Sequence, residues 1–151
     1  RPLVWVGRRT VPARGRFAPV EFAPGTVGNA RTLLLSRQHR LRFSGWRAEL
    51  LFGEEAVLIP AAHLVDGRRI RVRDGGMVTY VHLMFDRHAI VFAEGAEAES
   101  FHATAENLAR ISPAARAELL ALFPQIAEGA ALGPLRHPAL RRPEARALLA
   151  G

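Results

Sequence analysis

The chain contains no cysteine. Disulfides, thiolate zinc sites and cysteine nucleophiles are therefore excluded within these 151 residues, while the redox compartment stays open, because absence fits any of them. Lysine is absent too, so all 21 basic residues are arginine and the net charge of +7 is carried by guanidinium groups. Arginine binds phosphate and carboxylate well, which brings nucleic acid into consideration. The arginines are scattered, however, with only local density at Arg37-Arg40-Arg42, Arg68-Arg69-Arg71-Arg73 and Arg136-Arg141-Arg142. Aromatic residues make up 7%, too few for stacking platforms, so a solvated surface is the expected use of this charge and nucleic acid is not an expected partner. No apolar run approaches the length of a membrane span, and no internal repeat of fixed period appears. There is no initiating Met and no signal peptide: Arg1-Pro2 leads at once into Leu3-Val4-Trp5-Val6. A start in mid-strand leads to the expectation that the chain is an internal fragment or a processed product.

What is present is a globular balance, 49% hydrophobic and 23% charged, enough for one domain with a real core. Residues 1–102 read as β, with short apolar runs between turn residues. The spacing predicts strands at Leu3–Val6, Pro19–Phe22, Thr32–Leu35, Arg40–Phe43, Ala48–Phe52, Ala56–Ile59, Arg69–Val72, Met77–Phe85 and Ala89–Phe92. Asp74-Gly75-Gly76 between two of these runs is a hairpin signal. No helix-length periodic segment is expected in this half.

The pattern changes after Phe101. Ser112-Pro113 is a helix start, Ser as N-cap and Pro at the first helical position. The helix is expected to run over Ser112–Ile126, with Leu119, Leu122, Phe123 and Ile126 packed on the β part and Pro124 ending or kinking it. Pro134–Pro143 reads as a Pro- and Arg-rich linker, and Pro143 opens a last helix through Leu149. Two divisions follow: a β domain over 1–102 and a helical extension over 103–151.

The chemistry points to histidines. Three of the six stand in two distinctive contexts. Leu33-Leu34-Leu35-Ser36-Arg37-Gln38-His39 is a strand followed by a hydroxyl residue, two polar residues and a histidine. The run from Tyr80 to Gly95 is a strand, a turn carrying Asp86 and His88, and another strand ending in Phe92-Ala93-Glu94-Gly95. His82, Asp86 and His88 could in principle ligate a metal, since alternate strand positions share a face, but the turn at Asp86-Arg87 undermines that arrangement; no metal and no cofactor is expected.

These stretches resemble the two most diagnostic blocks of the Hint superfamily, the fold of inteins and hedgehog C-terminal domains. The first block reads Thr-x-x-His, matched here by Ser36 and His39, with Ser in place of Thr. In the second, Tyr80 and His88 hold the family spacing. Ser36–Arg40, Ala61–Val65 and Phe85–His88 are similar to runs in the bacterial hedgehog/intein-like branch. The resemblance covers roughly residues 1–102 and implies a compact, mostly β, Hint-like fold with a C-terminal helical extension.

It also implies a reaction. In the family an N-terminal Cys attacks the carbonyl of the peptide bond before it, a bond made planar and inert by resonance. The resemblance gives His39 the general-acid role of distorting and protonating the leaving amine, Ser36 the holding of the scissile segment or its oxyanion, Asp86 the deprotonation of the nucleophile, and His88 an assisting role. The substrate partner would be the chain's own N-terminal flanking polypeptide. Two features depart from the pattern: the Cys is absent, and where splicing inteins end in His-Asn this chain has Glu99-Ser100, so cleavage by Asn cyclisation is not expected. The implied function is thus a self-processing, thioester-forming domain of a larger bacterial protein, inactive as given; whether it is an enzyme in its own right stays open, and the alternative is a non-catalytic β interaction module that kept the fold. Ser36, His39, Asp86 and His88 are expected to converge. A missing first segment would leave strand edges open, and strand addition from a second copy, giving a homodimer, is the simplest repair.

Overall fold

The computed structural model describes residues 2–128 and 133–150. In chain order the strands are β1 (Leu3–Pro12), β2 (Val20–Phe22), β3 (Leu33–Leu35) and β4 (Arg40–Ser44), then, after helix α1 (Trp46–Phe52), β5 (Ala56–Pro60), β6 (Ile70–Val72), β7 (Met77–Phe85), β8 (Ile90–Ala93) and β9 (Ala96–Glu99). Helices α2 (Ala105–Leu108), α3 (Pro113–Leu122) and α4 (Arg142–Leu149) follow. This is a mostly β chain with a helical C-terminal part.

The residues group into two compact units, each drawn from separate stretches of sequence. One holds Arg1–Val11, Thr79–Ala89 and Ser100–Arg136; the other holds Pro12–Val78, Ile90–Glu99 and His137–Gly151. In the first, Trp5, Met84, Ala103, Leu108, Ile111, Leu119 and Ile126 form a buried core. The strands β1 and β7 pair as a two-stranded ribbon, with the Thr10 and Thr79 hydroxyls 2.8 Å apart across it. The strand β1 runs six residues beyond the Val6 end that the sequence suggested, because its period-2 burial continues through Gly7. Gly7 has no side chain for a steric reason: a Cβ there would overlap the indole of Trp5. Trp5 is 5% exposed and its Nε1 donates to Glu118 at 3.2 Å. Gly7→Ala should therefore destabilise the protein by about 1–3 kcal/mol through overpacking, read as a lower denaturant midpoint at unchanged m-value; a neutral substitution would show that the indole has room to move.

Helix α3 starts at Ser112 as expected, its hydroxyl accepting from the Ala115 N–H at 3.1 Å. The buried row differs from the expected stripe. Leu119 and Ile126 are 0% and 2% exposed and Phe123 packs on the core, but Leu122 is 56% exposed. The inward row is Ala115, Leu119 and Phe123, spaced four apart; Pro124 then opens a 3-10 turn, Pro124–Glu128, that carries Ile126 inward.

The other unit has two antiparallel sheets, β3-β2-β6 and β5-β4-β9-β8. Their inner faces and α4 enclose a core that includes Val20, Phe22, Leu35, Leu41, Val57, Ile59, Ala98 and Leu148. Within β5, the Leu58 N–H donates to the Pro138 carbonyl and its carbonyl accepts from the Leu140 N–H, so part of the expected linker is strand-like. Two expectations are corrected. Ala48–Phe52 is not a strand but most of α1: Gly45 at φ 122° opens it and Gly53 closes it in the left-handed conformation at φ 66°, its N–H bonding Glu49 at 2.9 Å. The apolar run is short, and only Ala48 in it is buried. Asp74-Gly75-Gly76 does not close a hairpin, because β6 pairs with β2 while β7 pairs with β1. The glycines instead cross between sheets, at φ 109° and 69°, and bond Ala13 on both its N–H and C=O.

Candidate functional site

Ser36 to His39 form a tight turn between β3 and β4, closed by the His39 N–H to the Ser36 carbonyl at 3.1 Å. The turn is pinned from outside. The N–H groups of Ala61 and Ala62, at the start of the 3-10 turn Ala61–Leu64, donate to the carbonyls of His39 (2.8 Å) and Arg37 (2.9 Å). The Arg37 Nε donates to the Ala18 carbonyl at 3.2 Å. Both Ser36 and His39 are half-buried, their backbone fixed and their side chains reachable.

Opposite the turn lies the end of β9. Its position comes from a hairpin that the strand pattern did not reveal. Ala93 pairs with Ala96, leaving a two-residue loop of Glu94 (φ 53°) and Gly95 (φ 96°), both left-handed as a type I′ turn requires. A Cβ at Gly95 would stand 3.0 Å from the Gly28 carbonyl, so glycine is favoured there twice over. The hairpin returns the chain along β8 and against β4, with Leu41 opposite Ala98; that antiparallel register puts Arg40 opposite Glu99.

The result is a connected group. The His39 Nε2 lies 2.8 Å from the main-chain carbonyl of Glu99. A carbonyl has no proton to give, so Nε2 carries the hydrogen and Nδ1 is the acceptor in the neutral ring. The Glu99 carboxylate accepts from the Arg40 backbone N–H at 2.7 Å and from its guanidinium at 3.4 Å. Glu99 is 8% exposed, and a buried carboxylate persists only when paired in this way. The Arg40 Nε is buried without a hydrogen-bond partner.

Asp86 and His88 lie on the segment after β7, in the other unit. Asp86 is exposed and His88 is 4% exposed. The His88 Nδ1 accepts the Arg136 backbone N–H at 2.8 Å, which leaves the hydrogen of a neutral ring on Nε2. Its ring meets the edge of His102 at 5.4 Å between centroids. Just past β9, the Ser100 hydroxyl accepts from the Ala89 N–H at 2.9 Å and is 2% exposed. Of the four residues singled out by sequence, Ser36 and His39 thus share one turn and Asp86 and His88 share one segment. Glu99, Arg40, Ser100 and Arg136 join these groups without having been selected as site residues. His82 packs edge-on against Phe101 at 5.3 Å. Among the described residues, no three His, Asp or Glu side chains gather as a metal site, and no helix is long and apolar enough to cross a membrane.

A family model described as the Hint domain matches residues 1–105. The chain belongs to the Hint domain family. The match takes in both sequence blocks, the β8–β9 hairpin and the Glu99-Ser100 end, and stops at the start of α2. Comparison with characterised proteins and with solved structures gave no match.

One further histidine of this Hint domain affects its stability. His63 sits on the Ala61–Leu64 turn that pins His39, its Nδ1 buried with no partner. Burial, and secondarily the charge of Arg142, hold its pKa below the ordinary 6.5. The unfolded chain therefore binds this proton more readily than the folded one. The stability His63 contributes is complete above pH 6.5 and is lost as the pH falls from there through the lower folded value. His63→Leu should flatten the fall in thermal midpoint on acidification below that point; an unchanged slope in the variant would assign the acid sensitivity to other groups.

Proposed function

We propose that this Hint domain performs the first half of a self-processing reaction, releasing a polypeptide that precedes it in a parent chain through a thioester. The observation that carries the reading is the fixed His39 imidazole, held on a pinned turn with Nε2–H on a peptide carbonyl. A ring held in one tautomer at a peptide group suits proton delivery to a leaving amine. With Nε2 engaged, Nδ1 is the nitrogen left to carry that proton.

The 151 residues contain no cysteine, so the thiol must come from a residue outside them, in a parent where a Cys precedes this sequence. In the step, the Cys Sγ attacks the carbonyl carbon of the residue before it. The C–S bond forms, the C–N bond breaks, and the amine nitrogen takes a proton from His39. Ser36 binds the scissile segment, and the thiol proton passes to water. A second nucleophile then displaces the thiol and carries away the N-terminal neighbour. Glu99-Ser100 supplies no Asn to cyclise, so the reaction ends there. Intact-mass measurement of the parent, incubated with and without added thiol, tests this. Thiol-dependent release of the N-terminal neighbour is the expected outcome, and a parent that stays at full mass in both would refute it.

One observation favours a second reading, a Hint-fold interaction module without chemistry: the Nε2 of His39 is already satisfied by its own chain, as a structural histidine would be. On that reading, His39→Asn would lower stability and alter no cleavage.

A further inference from the structure

We propose that Glu99 is a positioning residue for His39, its carboxylate clamped on Arg40 so that its main-chain carbonyl holds the imidazole in the Nε2–H form. The inference rests in part on the self-processing reading, because positioning matters to a rate only where there is a reaction.

Alternation along β9 would place Ala96 and Ala98 inward and Glu97 and Glu99 outward. Glu97 follows the pattern, half-buried and paired with Arg42 at 2.8 Å. Glu99 breaks it and is buried. A carboxylate is turned inward against the strand pattern only where fixed donors compensate the lost water. Two such donors are the backbone N–H and the guanidinium of Arg40, which is also the neighbour of His39. A side chain bound to a backbone N–H of the facing strand has a fixed origin. Two contacts of Glu99, carboxylate to Arg40 N at 2.7 Å and carbonyl to His39 Nε2 at 2.8 Å, therefore brace one peptide unit between two consecutive residues of the site. Removing the first frees the second: the carbonyl turns with the end of β9, and the imidazole loses the acceptor that selects its tautomer.

Sequence spacing gave Glu99 no role beyond replacing the His-Asn end of splicing inteins. The geometry gives that replacement a use, since a side-chain oxygen at this reach can accept the Arg40 N–H of the facing strand.

The test uses this chain as it stands. Long-range 15N–1H correlation spectra of the His39 ring report which nitrogen is protonated in the neutral form. The wild type should show Nε2–H alone. Glu99→Ala should show a mixture of tautomers, and so should Glu99→Asp, which keeps the charge but is one methylene too short to hold the Arg40 N–H without moving the strand end. Glu99→Gln, whose amide oxygen still accepts that N–H, should restore the single tautomer. If Glu99→Ala does not fold, the Asp and Gln pair decides alone. Undisturbed Nε2–H in Glu99→Asp would overturn the proposal. In a parent chain that cleaves, Glu99→Ala or Glu99→Asp should slow release about 10–100-fold, the usual effect of removing a group that orients a working histidine, with Glu99→Gln near the wild-type rate; equal rates in all three would also overturn it. A parent that does not cleave overturns the self-processing reading, while the tautomer spectra still decide whether Glu99 positions His39.

Discussion

His39→Ala in a parent chain carrying its N-terminal flank should slow release of that flank about 10²–10⁴-fold, the usual contribution of a positioned acid–base group. The size follows from the local geometry. The imidazole is held from two sides, by the backbone of the Ser36–His39 turn and by Nε2 on the Glu99 carbonyl. In its absence water would have to replace it as proton donor to the leaving amine. His39→Gln keeps a donor able to reach the Glu99 carbonyl and should fold normally, yet it cannot deliver a proton, so its rate should match that of His39→Ala. Single-turnover cleavage followed by intact mass reads both. A variant releasing its flank at the wild-type rate would remove His39 from the chemistry and leave it a structural residue.

Phe22→Ala should carry the largest stability loss, about 3–5 kcal/mol, because it empties a fully enclosed site. Phe22 is 0% exposed on β2, the central strand of the β3-β2-β6 sheet, where it pairs with Leu33 on one side and Ile70 on the other. Both neighbouring strands are only three residues long, so little main-chain pairing is available to offset the lost side chain. The strand β3 leads directly into the Ser36–His39 turn, so a weakened sheet also loosens the backbone that presents His39. Chemical denaturation followed by circular dichroism measures the loss. A cost below about 1 kcal/mol would mean that the site collapses around the smaller side chain far better than enclosed sites usually do.

The legible part of the fold was the part set by local pattern. Arg40–Phe43, Ala56–Ile59 and Met77–Phe85 read as strands because branched and aromatic residues stand between strong turn signals, and all three are strands. Ser112-Pro113 and Pro143 marked helix starts for stereochemical reasons that need no tertiary context. What failed depended on partners distant in sequence. The Ala48–Phe52 run is apolar at both periods, and only the glycines at 45 and 53 separate helix from strand. Asp74-Gly75-Gly76 has the composition of a hairpin loop, but which strands pair is decided by the sheets on either side. The true hairpin, Glu94-Gly95, carries a Glu at a left-handed position, an uncommon choice that no turn rule would favour. The two compact units are each assembled from separated stretches, an arrangement with no signature in composition.

The candidate site divides in the same way. Ser36 and His39 were legible because residue type and spacing sit on one short turn. Glu99 and Arg40 were not, since the pairing depends on the β4–β9 register, and alternation alone would have put Glu99 in solvent. Ser100 entered only as a missing Asn, yet it is buried and hydrogen-bonded to Ala89.

The central claim, an acyl transfer to sulfur in a parent chain, is tested most directly by trapping the thioester. Hydroxylamine attacks a thioester carbonyl, expels the thiol and leaves a hydroxamate on the acyl fragment, whereas the starting amide is inert to it under mild conditions. The parent, treated with hydroxylamine at neutral pH, should yield an N-terminal fragment ending in a hydroxamate and a Hint fragment beginning with free cysteine, with neither formed from His39→Ala on the same timescale. A parent that stays intact in hydroxylamine, while remaining folded by circular dichroism, would contradict it.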